Sequence, residues 1–157
     1  MENNFQLVAL NKNQFEHLFD LDETELAKKG IQKMLVDNFP GFPCRVSLAD
    51  AEIGEEVILL NYEHHNVNSP YNSSGPIFIR KIAQTIKPKV NEIPIMFNHR
   101  LLSLRGYDNK SMMIFTEVVK GEILKETLLE ILKNQKIEYL HIHNAGPGCY
   151  NCLVKRV

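Results

Sequence analysis

Residues 112–143 read MMIFTEVVKGEILKETLLEILKNQKIEYLHIH, and this stretch decides the fold class. Residues 112–118 are rich in β-formers and read as a strand. Residues 122–133 place Leu124, Leu128, Ile131 and Leu132 at the i, i+4, i+7, i+8 spacing of an amphipathic helix. Lys133 near its end and Asn134 just after it suit a helix C-terminus. Residues 137–143 then alternate as a second strand. The connection, residues 119–136, is long enough for a parallel crossover. A β-α-β unit therefore lies near the C-terminus.

Around this unit the patterns are mostly those of local hairpins. Residues 101–107 and 112–118 flank the polar turn Asp108-Asn109-Lys110-Ser111 and predict a hairpin. Residues 150–157 form another strand, reached through the tight loop at 144–148. Further strands are expected at 5–10, 44–48, 57–62 and 77–80, with 31–36 an apolar stretch of open type. Residues 63–76, EHHNVNSPYNSSGP, form a polar loop rich in turn residues. Asp22 followed by Glu25 matches a capping box for a short helix at 23–29 that Gly30 ends. Phe39-Pro40-Gly41-Phe42-Pro43 is a rigid turn. The expected fold is α+β: a mixed, largely antiparallel sheet with one β-α-β unit and few helices.

A chain of 157 residues is expected to form a single domain over 1–157, with residues 1–30 an N-terminal element of open placement. Apolar residues make up 44% and charged residues 24%, ordinary values that exclude a disordered or fibrous chain. No apolar run reaches the roughly 18–20 residues of a membrane span, and the N-terminus lacks the pattern of an export signal. A cytoplasmic location is the expectation, with cysteines kept reduced. Net charge is −1, but residues 1–70 hold 12 acids and 5 bases while residues 71–157 hold 7 and 13. Such asymmetry marks either self-attraction within the domain or a face for a protein partner or a second copy. The bases are scattered, without a stripe or interleaved aromatics, so no nucleic acid is expected as partner.

The densest chemistry is HIHNAGPGCYNC, residues 141–152. His141 and His143 lie two apart on a strand, with Cβ atoms roughly 6.6 Å apart on one face, so two imidazoles can reach one ion. That face is expected to point outward or to line a pocket, with Leu140 and Ile142 in the core. A third ligand would come from His64 or His65; adjacent strand residues point oppositely, so one at most joins the pair. Three imidazoles suit an open metal site, zinc above others. Cys149 is a further candidate ligand or a nucleophile. In a strand Cys149 and Cys152 point to opposite faces, which disfavours a shared ion or a disulfide. Cys44 reads as a buried core thiol. A third constellation is basic and hydroxylic: Arg45, Tyr71, Ser73, Ser74, Arg80, Arg100, Arg105 and Tyr107. It reads as an anion pocket or as internal salt bridges, for instance to Glu63 or Asp108.

The stretches GFPCRVSLADAEIGEEVILLNYEHHNVNSPYNSSGPIFIR (41–80), RLLSLRGYD (100–108) and HIHNAGPGCYNC (141–152) resemble the bacterial family catalogued as domain of unknown function 1203. The resemblance implies a small, single-domain, cytoplasmic bacterial protein and transfers no activity, cofactor or catalytic residue. Three functions follow from the residues. The first is a small-molecule enzyme or binding protein whose pocket uses His141, His143, one of His64 and His65, Arg80 and Arg105, with an anionic ligand and a divalent metal as options. The second is a non-catalytic interaction module, including self-association. The third is thiol or redox chemistry at Cys149 and Cys152.

Overall fold

The strand–helix–strand stretch folds as β6 (Met113–Lys120), α2 (Leu124–Ile131) and β7 (Tyr139–Asn144). The structure is a computed structural model describing residues 3–157. Helix α2 buries Leu124, Leu128 and Ile131, the residues that its periodicity singles out. Both β6 and β7 pair antiparallel with β5 (Leu101–Tyr107), so they run parallel to each other with β5 between them. The crossover thus skips one strand. Strand β8 (Tyr150–Arg156) continues the sheet beside β7, and β1 (Phe5–Val8) closes its far edge, giving the order β1-β8-β7-β5-β6.

Three further strands form a second sheet in the order β2-β3-β4: Gln32–Leu35, Glu56–His65 and Ser73–Arg80. Every pair of named strands in both sheets is antiparallel. The α+β expectation holds, with the strands divided between two sheets. Helix α1 (Glu23–Lys28) starts at the complete Asp22/Glu25 capping box, and Gly30 follows it with φ +70°.

Each sheet has its own core. Leu102, Leu104, Leu140, Ile142, Cys152 and Val154 pack beneath α2 on one face of the larger sheet. Ile58, Leu60, Ile77 and Ile79 of the smaller sheet pack with Cys44, Val46 and Leu26. The second face of the larger sheet carries Ser103, Arg105, His141 and His143 in cross-strand register.

Two local expectations are corrected. Residues 44–48 are a turn rather than a strand: the Cys44 N–H donates to the Ala49 carbonyl at 3.0 Å, and Pro43 bridges Asp50. The reversal tucks Cys44, Arg45, Val46 and Leu48 inward together, so no alternation survives. The polar loop expected at 63–76 is shorter, because β3 runs on to His65 and β4 begins at Ser73.

Gly121 marks the tightest backbone approach. A Cβ there would lie 1.6 Å from the Phe97 carbonyl oxygen, a backbone atom that cannot swing away. Gly121→Ala should lower stability by about 3 kcal/mol, the upper end of ordinary overpacking costs. A urea midpoint equal to that of the parent protein would contradict this packing.

Candidate metal centre

Strand β7 alternates as its sequence requires. Leu140 and Ile142 are fully buried under α2, and His141 and His143 take the opposite face. That face does not point outward. The second sheet covers it, and both histidines are buried. Loop 144–149 then fixes one of them. Backbone bonds from Asn144 N–H to the Cys149 carbonyl and from Gly148 N–H to the Asn144 carbonyl, each 2.9 Å, close the loop. This holds the Gly148 carbonyl 2.9 Å from His143 Nδ1. A carbonyl only accepts, so Nδ1 carries the hydrogen and the Nε2 lone pair is free. Nε2 is buried without a hydrogen-bond partner.

His64 reaches the pair from β3. Between Tyr62 and His65 the β3–β4 register slips: three steps on β3 face two on β4. The extra residue is a β-bulge, which breaks the alternation. Both His64 and His65 consequently lie against His141, with ring centroids 5.9 and 5.0 Å away. Alternation alone would place only one of them there, and of the two only His64 falls in the cluster of possible ligands. Their roles still diverge. His65 Nδ1 donates to the Tyr71 carbonyl at 2.7 Å, and Nε2 accepts from the Tyr139 hydroxyl at 2.6 Å. Ser111 Oγ lies 3.0 Å from that hydroxyl. His65 has no free lone pair.

His64 has both ring nitrogens buried and unpartnered, as is Nδ1 of His141. The Tyr62 backbone lies near the His64 ring and favours its charged form, against the larger effect of burial. His64, His141 and His143 each present one ring nitrogen, and the three lie within 4.8 Å of one another. Tetrahedral coordination by zinc brings such nitrogens to about 3.3 Å, so side-chain shifts of about 1 Å close the set. Tyr150 stacks on His64 with centroids 5.0 Å apart and planes at 9°.

All three imidazoles are held neutral. Burial pushes His64 down to about 4, His141 to about 2 and His143 to about 3. Neighbouring imidazoles and Arg105 press the same way, while the Gly148 carbonyl opposes the shift at His143. Neutral imidazole is the form that ligates a metal. Arg105, the cross-strand partner of His141, is half-buried beside the trio. It makes no ion pair among the described residues.

A family described as "Protein of unknown function (DUF1203)" matches residues 41–156. The chain belongs to the DUF1203 family. No curated protein and no solved structure matches it. The DUF1203 match contains the whole trio and Arg105 and leaves β1, α1 and β2 outside. Among the described residues no helix is long and apolar enough to cross a membrane.

The other singled-out positions of this DUF1203 chain are dispersed. Arg80 forks onto Glu55, with Nε–Oε1 2.8 Å and Nη2–Oε2 2.9 Å, and is not beside the histidines. Its ion-pair partner is therefore neither Glu63 nor Asp108. Arg100 is paired with Asp50. Tyr71 contributes its carbonyl to His65, and the Tyr107 ring packs on His65 at 4.2 Å. Cys149 accepts from Asn144 Nδ2 at 3.4 Å, outside the trio. Cys152 is in the core, where burial raises its thiol pKa. All three cysteines are free, and Cys44 is fully buried as expected. Tyr139 and Ser111 carry the His65 network without having been singled out. Parity alone places Tyr139 on the histidine face; no local signal marks Ser111.

Proposed function

We propose that this DUF1203 protein binds a divalent metal ion, zinc above others, through His64, His141 and His143. One observation carries the reading: three neutral imidazole nitrogens from two sheets converge within 4.8 Å, with unpartnered buried nitrogens on each ring. Buried polar atoms are rarely left unpaired without a reason. The His143 Nδ1–H to carbonyl bond is also the second-shell arrangement that orients metal-ligating histidines. Three protein ligands leave a fourth position open, as in hydrolytic and lyase-type zinc sites, where the ion makes water acidic enough to attack near neutral pH. Arg105 is the unpaired cation beside that position and favours an anionic small molecule there.

Elemental analysis of untagged protein from zinc-supplemented cultures, prepared without chelator, tests the reading. About one equivalent per chain is expected; protein that stays metal-free and ignores micromolar zinc would overturn it. Arg105 has a separate readout. In cobalt-substituted protein, Arg105→Gln should leave the metal content unchanged and weaken azide binding about tenfold, the size of one charge-assisted hydrogen bond. Equal azide affinity in both proteins would remove Arg105 from the site.

A further inference from the structure

A second site lies outside the His64, His141 and His143 trio. A cleft of about 600 Å³ is bounded by turn residues 43–45, the β3–β4 hairpin and the β7–β8 loop. Its volume falls in the range of small-molecule pockets. Most of the wall is apolar, including Leu59, Pro76, Phe78, Leu101 and Pro147. Two arginines reach it, and they differ. Arg100 is neutralised by Asp50. Arg45 is 1% exposed and pairs with no carboxylate. Its Nε donates to the Tyr150 carbonyl at 2.7 Å and its Nη1 donates to the Pro43 carbonyl. These bonds orient the guanidinium, and the Cys149 side chain lies within hydrogen-bond reach of it; no carboxylate offsets its charge. A buried cation without a counter-charge is costly, and here it lines a cavity large enough for an anion.

We propose that this cleft binds a small organic monocarboxylate, its head group on Arg45 and its apolar body along Leu59, Phe78 and Leu101. A single cation without a carboxylate partner matches one negative charge; a phosphate dianion would need a second, and Arg100 is taken by Asp50. The apolar wall excludes a wholly polar anion such as phosphate as the best occupant. This proposal does not require a metal, since none of the three histidines lines the cleft.

Cys149 supplies the reporter. It lies on the cleft wall and is partly exposed, whereas Cys44 and Cys152 are buried. In the native protein the neutral reagent 4,4′-dithiodipyridine should therefore modify Cys149 first. Saturating 3-phenylpropionate should slow that modification at least fivefold, while 3-phenylpropanol and inorganic phosphate at the same concentration leave it within twofold. Leu101→Trp should abolish the protection by filling the cleft. Leu101 is 54% exposed, so this variant keeps the core intact even where Arg45→Met fails to fold. Saturation-transfer NMR on the same ligands gives a readout that does not use the thiol. Equal protection by acid and alcohol, stronger protection by phosphate, or no protection with no saturation transfer would each overturn the proposal.

Discussion

His143→Ala should cost the protein more than about 100-fold in zinc affinity, because loss of a second-shell partner alone costs 10–100-fold. His143 is the best prepared of the three ligands. Its Nδ1 is held by the Gly148 carbonyl, so Nε2 is aimed and unprotonated before any ion arrives. His141→Ala and His64→Ala should act alike. His65→Ala should cost less than tenfold, because both its nitrogens are already engaged by Tyr71 and Tyr139. Zinc titration of chelator-treated protein, with circular dichroism to check folding, separates these cases. A His65 variant as damaged as the His64 variant would mean that the ligand set is wrong.

The metal-free protein should lose about 4 kcal/mol of stability between pH 7.5 and pH 5. Folded His141 and His143 titrate near 2 and 3, because burial disfavours their cationic forms. In the unfolded chain an imidazole takes up its proton near pH 6.5. Between those limits the unfolded state holds more protons, so acid favours unfolding. The stabilisation is complete above pH 6.5 and drains away as pH falls toward the folded values. At pH 5 each imidazole accounts for about 2 kcal/mol. His64, shifted in the same direction, adds to the trend. Urea midpoints measured in chelator at the two pH values give the answer; an unchanged midpoint would show that the buried imidazoles are not kept neutral by the fold.

Much of this was readable from residue order. The capping box at Asp22 and Glu25, the hairpin around residues 108–111 and the α2 periodicity are local signals, and local hydrogen bonds satisfy them. The His141/His143 pairing rests on strand parity and survives because β5 and β7 keep an unbroken ladder. Parity failed at His64 and His65, where the β3–β4 ladder slips. The bulge between Tyr62 and His65 put two neighbouring histidines against one partner, which no period-2 argument allows. A second slip between Ile142 and His143 sets Tyr150 opposite His143 and Cys152 opposite Ile142. Arg45 was misread for another reason: Cys44–Arg45–Val46 looks extended, but its hydrogen bonds close a turn with Ala49 and Asp50. The burial of the histidine face was also out of reach, since it depends on how two sheets stack.

The trio draws His64 from the three-stranded sheet and His141 and His143 from the five-stranded one. An ion seated there is a rivet through both plates. Because the scattered ligands of an unfolded chain hold an ion poorly, occupancy would add RT ln(1 + [M]/Kd) to the folded state. The gain cannot be assigned to either plate alone, since separating them unseats the ion. Two sheets with separate cores would thereby melt as one body when loaded, and would be free to loosen one at a time when stripped.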